Sequence, residues 1–454
     1  MFDNVTRPDD VTPLLPPPGG GQVLVTSRWA AWGEWAEPLR LHVLSREEAV
    51  TLLRKRTGTD DERAAAALAE ALGDLPLALA EAAAYIEQTQ VGLDEYLQLV
   101  QQRAAELFGL AQPAGAERRV ATVWSLSLER VQEEAPAAEA LLELCAFLAP
   151  DDIPRALPRE HAALLPEELG HLARDLLAYN KTLGTLGRYS LATLTPTALA
   201  LHRLVQAVIR ARLKDQEGRW AQVAVELIDA AFPEDSAEVT RWPSGQRLLP
   251  HLLAVTEHAE RLKVASEVTG GLLDRASQYL RSRGQFQQAR PLAERALTLA
   301  QQALEPDDPT VGDRHDELGR VLREAGGYQA ARHHLEWALA IYQAAYGPDD
   351  SRTATPHNEL GLVLRELGDL EGARTHHERA LEITEATLGP DHPDMAIWHN
   401  NLGFVLHELG DLDGARAQYE RALEITEATL GPDHPYVAIF RGNLDRVVQQ
   451  AAGE

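Results

Sequence analysis

The sequence has little cysteine and little positive charge. Cys145 is the only cysteine, which excludes an internal disulfide and a cysteine-based zinc cluster and is typical of a reducing compartment. The 43 Lys and Arg residues face 69 Asp and Glu residues, so the net charge is −26. Because phosphate backbones and anionic lipids attract positive charge, we expect neither nucleic acid nor a membrane as a partner.

Several sequence signals are also missing. The sequence has no run of about 18 apolar residues and no leader pattern at its start, which predicts a cytoplasmic protein. It has no phosphate-binding Gly-x-x-x-x-Gly-Lys-Ser/Thr loop, no nucleophile elbow, no His-Glu-x-x-His helix and no dinucleotide fingerprint. We therefore predict no catalytic residues and a protein that is not an enzyme. The 454 residues are enough for about three domains of roughly 150 residues each.

The strongest positive signal is a repeat in the last third. Turns at Gly284, Gly326, Gly368 and Gly410 are 42 residues apart, and alanines follow each turn at helical spacing. Residues 379–393 and 421–435 are identical over 15 residues. Glycine lets the chain leave a helix, and small residues let helices cross closely. The period therefore predicts two amphipathic helices per unit, stacked into a solenoid because one hairpin cannot bury its apolar face.

The loops between the units also repeat. The second helix is predicted to end at Gly347, Gly389 and Gly431, and each of these glycines precedes a proline. Pro-Asp-Asp-Pro, Pro-Asp-Asp-Ser and Pro-Asp-His-Pro sequences then precede the next helix. An aspartate there can cap the free amides of a helix start, and proline fits the first turn.

The residues of the repeat resemble a known family. Leu402, Gly403, Ala415, Tyr419 and Ala422 are similar to the tetratricopeptide repeat pattern. The 42-residue variant with Leu-Gly-Pro-Asp-His-Pro resembles the long repeats of kinesin light chains and their bacterial relatives. The resemblance covers residues 266–454, about four repeats and a partial fifth, and implies a surface that binds partner proteins.

Positions on the first helix of each repeat are the candidate binding residues. These positions are counted from the leucine position of the repeat's Leu-Gly pair. Five residues after it stand Arg281, Arg323, Arg365 and His407, and one or two residues before it stand Asn358, Asn400, Asn401 and Asn443. In tetratricopeptide proteins these positions line a concave groove. Asparagine can pair with both backbone groups of an extended peptide, and the basic residues would attract an acidic segment. Alternatively, the arginines are solvated surface beside acids such as Glu324 and Glu366.

Histidines recur with the repeat as well. The pairs His333-His334 and His376-His377 occupy corresponding positions, and His392 and His434 lie in the loops. They supply no carboxylate and histidine set with closed metal geometry, so we predict no metal site.

Upstream motifs predict a different region. Residues 2–5 and 22–28 predict short buried strands, Ser45 to Glu48 forms a capping box before a helix, and Pro76 restarts a helix within Gly-Asp-Leu-Pro-Leu-Ala. In this order the motifs resemble the C-terminal half of an NB-ARC signalling NTPase. The following residues, 117–215, resemble the winged-helix subdomain of that family. Bacterial proteins of this layout are STAND-class regulators.

The NB-ARC resemblance implies a nucleotide site. In this family Asp3 would orient the magnesium-bound water, Arg28 would reach the terminal phosphate, Pro76 would pack on adenine, and His202 would touch the β-phosphate of ADP. The phosphate-binding half of the domain is missing, so we expect a remnant or a misassigned start at Met1. We expect no cofactor in this chain, whereas ADP or ATP with magnesium belongs to the full-length family.

These observations predict a mainly α protein in five segments. They are an NB-ARC sheet remnant, an NB-ARC helical subdomain, a winged-helix-like domain, a helical connector and the repeats, over residues 1–44, 45–116, 117–215, 216–265 and 266–454. The predicted function is a protein-interaction scaffold that binds a partner protein or peptide, preferably acidic, and that is compatible with oligomerisation. The alternative is an ATP/ADP-dependent switch whose phosphate-binding loop is missing only because the sequence is a fragment.

Overall fold

The computed structural model describes residues 2–5, 11, 23–27, 43–108, 116–235 and 238–453. The chain divides into two compact units, Met1–Val123 and Trp124–Glu454, which are described separately below. The predicted mainly α fold with a C-terminal solenoid is confirmed.

The first unit contains two short strands and a group of helices. Strands β1 (Phe2–Val5) and β2 (Val25–Ser27) pair in parallel, with Phe2 beside Val25. The expectation of buried strands is wrong for Val23 and Leu24, which are 38% and 57% exposed. The physical reason is that the described part of this sheet has two strands, so it covers little of their surface. The helices are α1 (Arg46–Thr57), α2 (Glu62–Leu72), α3 (Pro76–Thr89), α4 (Leu93–Phe108) and the start of α5 (Ala116–Glu134).

The predicted capping box opens α1. The Ser45 hydroxyl accepts a hydrogen bond from the Glu48 amide, and the Glu48 carboxylate accepts one from the Ser45 amide at 2.8 Å. Helix α3 begins with Pro76 in its first turn, as predicted, because proline lacks only an amide that the first turn leaves unused. Alanines and fully buried Leu53 and Leu68 let α1 to α3 pack closely.

The second unit begins with a small α/β region. Its helices are α6 (Ala137–Cys145), α7 (Leu157–Glu160), α8 (Glu167–Arg174), α9 (Leu176–Arg188) and α10 (Arg203–Leu213), and its strands are β3 (Ile153–Pro154), β4 (Thr193–Leu194) and β5 (Ala198–Ala200). Just before α10 the residues Ala198–Ala200 form β5, which pairs antiparallel with both β3 and β4.

Two long helices connect this region to the repeats. They are α11 (Glu217–Ala231) and α12 (Trp242–Leu262), and a 3-10 turn at Val239–Arg241 precedes α12. Arg247 of α12 pairs with Asp152 at 2.9 Å, and Nε2 of His251 lies 3.2 Å from the Asp152 carbonyl oxygen. The start of α12 is therefore fixed to the loop before β3.

Four helical hairpins and one further helix follow. They are α13 (Ser266–Ser282) with α14 (Phe286–Ala303), α15 (Pro309–Glu324) with α16 (Tyr328–Tyr346), α17 (Ala354–Glu366) with α18 (Leu370–Leu388), α19 (Pro393–Leu409) with α20 (Leu412–Leu430), and α21 (Pro435–Gly453). We number the hairpins repeats 1 to 4. Gly368 has φ of 85° between α17 and α18, a left-handed conformation that favours glycine. The predicted turns and helix ends are confirmed.

The caps between repeats differ from the expectation in part. Asp308 caps α15 by accepting a hydrogen bond from the Thr310 amide at 2.8 Å, as predicted. In the two Pro-Asp-His-Pro loops the aspartate does not cap the helix. His392 takes this role through Nδ1, which leaves the Asp391 carboxylate to pair with Arg421 at 2.8 Å.

Candidate functional site

The first helices of the repeats form a continuous surface. Helix α13 contacts α15, α15 contacts α17 and α17 contacts α19, and Asn443 of α21 continues this side by donating a hydrogen bond to Asn400 of α19. We call this surface the first-helix face. It carries all of the predicted groove residues: Arg281, Arg323, Asn358, Arg365, Asn400, Asn401, His407 and Asn443.

The arginines of repeats 1 and 2 are already paired. Arg281 Nε donates to Glu317 at 3.1 Å, and Arg323 Nε donates to Glu359 at 2.8 Å. In both pairs the glutamate belongs to the next repeat. The side chains of Arg281 and Glu317 are only 14% and 4% exposed. The idea of a ladder of free positive charge is therefore wrong for these two arginines, because buried carboxylates neutralise them.

Two more buried acids lie in this half of the face. Asp274 pairs with Arg314 at 2.7 Å, and Asp316 lies 3.8 Å from Arg320. Burial raises the pKa of Asp274 to about 6 and that of Asp316 to about 7, although the arginines act in the opposite direction. The face of repeats 1 and 2 is thus a network of paired charges with little capacity for an additional acidic ligand.

The character of the face changes in repeats 3 and 4. Asn401 Nδ2 donates to Asn358 Oδ1 at 3.0 Å, and Asn443 Nδ2 donates to Asn400 Oδ1 at 2.9 Å. Asn401 stands where the preceding repeats have Glu317 and Glu359. Amide pairs therefore replace ion pairs at the junctions between these repeats. Asn358 is buried, whereas the other three amides are half-buried.

The same replacement leaves Arg365 without a glutamate from the next repeat. Arg365 pairs instead with its neighbour Glu366, and its guanidinium carbon lies 4.7 Å from the centre of the Phe404 ring. The Arg365 side chain is 24% exposed and that of Glu366 is 36% exposed. His407 is close by in the same row and its Nε2 lies 2.8 Å from the Gln450 amide oxygen. Arg365 is thus the groove arginine whose partner is local and partly solvated.

The repeated histidines pair across the hairpins of repeats 2 and 3. His315 and His334 have Nδ1 atoms 2.8 Å apart, and His357 and His376 have theirs 2.9 Å apart. In repeat 4 the corresponding pair is His399 with Gln418. Burial lowers the pKa of His315 and of His357 to about 4, so one neutral ring donates to the other. Across the described ranges, no three His, Cys, Asp or Glu side chains are grouped to hold a metal ion.

Comparison with known proteins agrees with this geometry. The tetratricopeptide repeat family matches residues 271–344, 352–428 and 394–453. Residues 271–453 form tetratricopeptide repeats. Residues 129–218 match a domain of unknown function, DUF7779. No curated protein matches the chain.

Several solved tetratricopeptide-type structures are similar at low identity. BtubC (BKLC) from P. vanneervenii is 24% identical, over 48% of this chain and 85% of that chain, with a TM-score of 0.38. A putative kinesin light chain from Podosopora anserina with nearly identical TPR-like repeats is 19% identical, over 49% and 97%, with a TM-score of 0.38. MamA from Desulfovibrio magneticus RS-1 is 20% identical, over 45% and 97%, with a TM-score of 0.33. At these TM-scores the similarities support no conclusion about function.

The NB-ARC resemblance implies four nucleotide-site residues, Asp3, Arg28, Pro76 and His202. Arg28 and the side chain of Asp3 lie outside the described residues. Pro76 is exposed in the first unit, and His202 is exposed in the second, where its ring lies 5.8 Å from that of Trp124. The NB-ARC resemblance and the nucleotide site therefore stay predictions. No described helix is long and apolar enough to cross a membrane.

The sequence analysis did not predict the glutamate partners of the groove arginines. The signal was present: 36 residues after Arg281 and Arg323 stand Glu317 and Glu359, and the residue 36 after Arg365 is Asn401. A spacing of 36 residues connects the end of one first helix with the middle of the first helix in the next repeat. A comparison of residues at this spacing distinguishes Arg281 and Arg323, which have a glutamate there, from Arg365, which has an asparagine.

Proposed function

We propose that this protein is an interaction scaffold that holds an extended segment of a partner protein on the first-helix face of repeats 3 and 4. The observation that carries the proposal is the replacement of interrepeat ion pairs by amide pairs at Asn401 and Asn443. A half-buried amide keeps spare donors and acceptors that a peptide backbone can use. The presence of tetratricopeptide repeats supports a role in protein interaction.

Repeats 1 and 2 are less suited to this role. Their arginines already satisfy buried glutamates, and a ligand carboxylate would have to displace one of them into a poorly solvated site. Such an exchange leaves an unpaired buried charge, which is strongly unfavourable. The cost is smaller at Arg365, because Glu366 is partly exposed and can turn to water when another carboxylate takes its place.

The partner segment is accordingly acidic in our proposal. One of its carboxylates pairs with Arg365, its backbone bonds to the amides of Asn400, Asn401 and Asn443, and an apolar side chain contacts Phe404. Phe404 is half-buried and stacks under the guanidinium, so it offers an apolar surface beside the charge. The mixed surface favours a segment that combines acidic and apolar residues.

A peptide library tests the proposal. Extended acidic peptides are screened against the full chain by fluorescence polarisation, and the best peptide is measured with Arg365→Glu. We expect its affinity to fall at least about tenfold, because attraction becomes repulsion at a partly desolvated position. Arg416→Glu is the matched control, since it makes the same charge change on the second helix α20, where the Arg416 side chain is 57% exposed.

The two variants distinguish the outcomes. Equal affinity losses in Arg365→Glu and Arg416→Glu would show that only net charge matters and would reject the first-helix face as the site. Arg323→Glu is unsuited to this purpose, because Arg323 holds Glu359 and its reversal tests folding rather than binding. Unchanged far-UV circular dichroism confirms that the Arg365 variant is folded.

We further infer a STAND-type ancestry for residues 1–215, in a bacterial cytoplasmic protein, with a winged-helix-like second domain. The parallel pairing of β1 with β2 supports it, as does Pro76 at the start of α3. The alternative function, an ATP/ADP-dependent switch, requires nucleotide binding by this chain. Isothermal titration with ADP and ATP, with and without magnesium, tests it, and we expect no binding because the sequence has no phosphate-binding loop. Tight, magnesium-sensitive binding would favour the switch over the scaffold.

A further inference from the structure

Three of the four repeats use an arginine at one position of the second helix to hold the chain that precedes the hairpin. Arg379 Nη2 donates to the Pro348 carbonyl oxygen at 3.2 Å and pairs with Asp349. Arg421 makes the same contacts with the next loop, at 3.2 Å and 2.8 Å. In repeat 1, Arg295 pairs with Glu260 of α12 at 2.5 Å. We call this arginine, together with its contacts to the chain before its hairpin, the arginine anchor.

Repeat 2 has no arginine anchor. The corresponding residue is Trp337, and Ala340 stands where repeats 3 and 4 have Glu382 and Glu424 to support the arginine. Trp337 is 57% exposed. The loop aspartate at the anchor position is Asp307, which is exposed and for which no ion pair is found within the described residues. The loop thus keeps the acidic group of the anchor while the second helix has lost the basic one.

A cavity of about 470 Å³ lies at this place. It is lined by Pro306, Val311, His315, Trp337, Ala340 and Ile341. This volume is within the range of roughly 300–1,000 Å³ that is usual for small-molecule sites. In repeat 3, Arg379 and Glu382 line a smaller cavity of about 340 Å³ whose other lining residues are polar as well. The loss of the anchor therefore accompanies a larger cavity with a more apolar lining in repeat 2.

The floor of the cavity is uncharged at neutral pH. The His315 ring meets the Trp337 ring edge to face, with centres 4.9 Å apart, and His315 Nδ1 contacts His334 Nδ1 at 2.8 Å. Burial lowers the pKa of His315 to about 4 and also lowers the pKa of His334. No imidazolium is present there to repel a positive ligand, and the exposed Asp307 directly follows the lining residue Pro306 in the chain.

We propose that this cavity, the Trp337 cavity, binds a compact organic cation, an amine, amidine or guanidine with an apolar body. The cationic group takes the place of the missing arginine, against Asp307 and the Pro306 carbonyl oxygen, and the apolar body lies on Trp337 and Ile341. An exposed indole face adds a cation–π attraction. Among the four repeats only repeat 2 has a tryptophan at the position of the anchor arginine, so this combination of an indole face and a loop aspartate occurs once. The cavity fits a free small molecule better than an extended peptide that crosses several repeats.

Three small molecules of similar shape test whether the cavity selects its ligand by charge. Benzamidine is a planar cation, benzamide is its neutral counterpart, and benzoate is its anionic counterpart. Each is titrated into the full chain by isothermal calorimetry. We expect benzamidine to bind at a single site, benzamide to bind at least about tenfold more weakly, and benzoate not to bind, since an unpaired carboxylate and an indole face both favour a cation.

A variant that restores the arginine anchor tests whether benzamidine binds in the Trp337 cavity. The double variant Trp337→Arg with Ala340→Glu introduces the residues that repeats 3 and 4 have at these positions, so it should fold and fill the cavity from within. We expect benzamidine binding to be lost while far-UV circular dichroism is unchanged. Asp307→Asn should weaken benzamidine about tenfold. Asp349→Asn, the same change at an anchored loop, should leave benzamidine affinity unchanged.

Several results would overturn the proposal. Benzamidine binding by the restored-anchor variant at wild-type affinity would place the site elsewhere. Equal affinities for benzamidine and benzamide would remove the role of charge, and no binding of benzamidine at millimolar concentration would reject the site. Tighter binding of an arginine-containing tetrapeptide than of benzamidine would show that the cation comes from a protein side chain and not from a free small molecule.

Discussion

Replacing His377 by leucine should make the protein less sensitive to acid. His377 of α18 is fully buried, and neither ring nitrogen has a hydrogen-bond partner. It packs against Gly361 of α17, where an added Cβ atom would lie 2.6 Å from the ring. The same position holds Leu335 in repeat 2 and Tyr419 in repeat 4, which pack against the corresponding glycines. Leucine is therefore a side chain that this type of site accepts.

The expected effect follows from the pKa of His377. Burial lowers it from 6.5 to about 3, and Arg365 and His376 act in the same direction. Above pH 6.5 the ring is neutral in both the folded and the unfolded chain and causes no pH dependence. Below it, the unfolded chain binds a proton that the folded chain does not, so stability falls as the pH falls. A pH of about 5 is about 1.5 pH units below the unfolded pKa of 6.5, which corresponds to a loss of about 2 kcal/mol in the free energy of unfolding.

Urea unfolding of wild type and His377→Leu, followed by circular dichroism at about pH 8 and about pH 5, measures this loss. We expect the wild type to lose about 2 kcal/mol more than the variant between the two pH values. His333→Leu is the matched control, because the His333 side chain is 79% exposed and its replacement should not change the pH dependence. The reasoning fails if His377→Leu loses as much stability in acid as the wild type.

Two further changes test the packing of the repeats. Gly361→Ala should destabilise the protein by about 1–3 kcal/mol, because the added methyl group meets the His377 ring, whereas Gly271→Ala, whose Cβ would have its nearest neighbour at 3.9 Å, should have little effect on the urea midpoint. Arg281→Ala should lower the free energy of unfolding by about 3–5 kcal/mol, since it leaves the buried Glu317 carboxylate without its partner; a midpoint equal to that of the wild type would show that the pair is not needed.

The helices and turns of the repeats could be predicted from the sequence because their causes are local and recur. Glycine at a fixed period marks each turn, and alanines at helical spacing mark the helix contacts, so the positions of α13 to α20 follow from the pattern. Glycine outside the repeats is a weaker guide to turns. Gly184 and Gly187 both lie within α9, where tertiary packing outweighs the weak helix propensity of glycine.

The candidate site could be predicted only in part. The groove positions follow from the column of each residue in the repeat, and Arg365, Asn401 and Asn443 remain the proposed binding residues. The pairing of Arg281 depends on a glutamate 36 residues away, and whether that glutamate is buried depends on how two first helices approach each other. Similarly, Trp337 is an ordinary apolar residue in the sequence. Its importance appears only when the loop contacts of Arg379 show what the tryptophan replaces.

The identical stretches at residues 379–393 and 421–435 have a consequence for how such a protein can change its length. Arg379 and Arg421 each contact the loop directly before their own hairpin and a glutamate of their own helix, and the amide pairs of Asn401 and Asn443 each reach back by one repeat. A duplicated 42-residue unit would therefore find every neighbour that it needs on both sides. The gain or loss of whole units would lengthen or shorten the binding surface in steps without new contacts having to evolve.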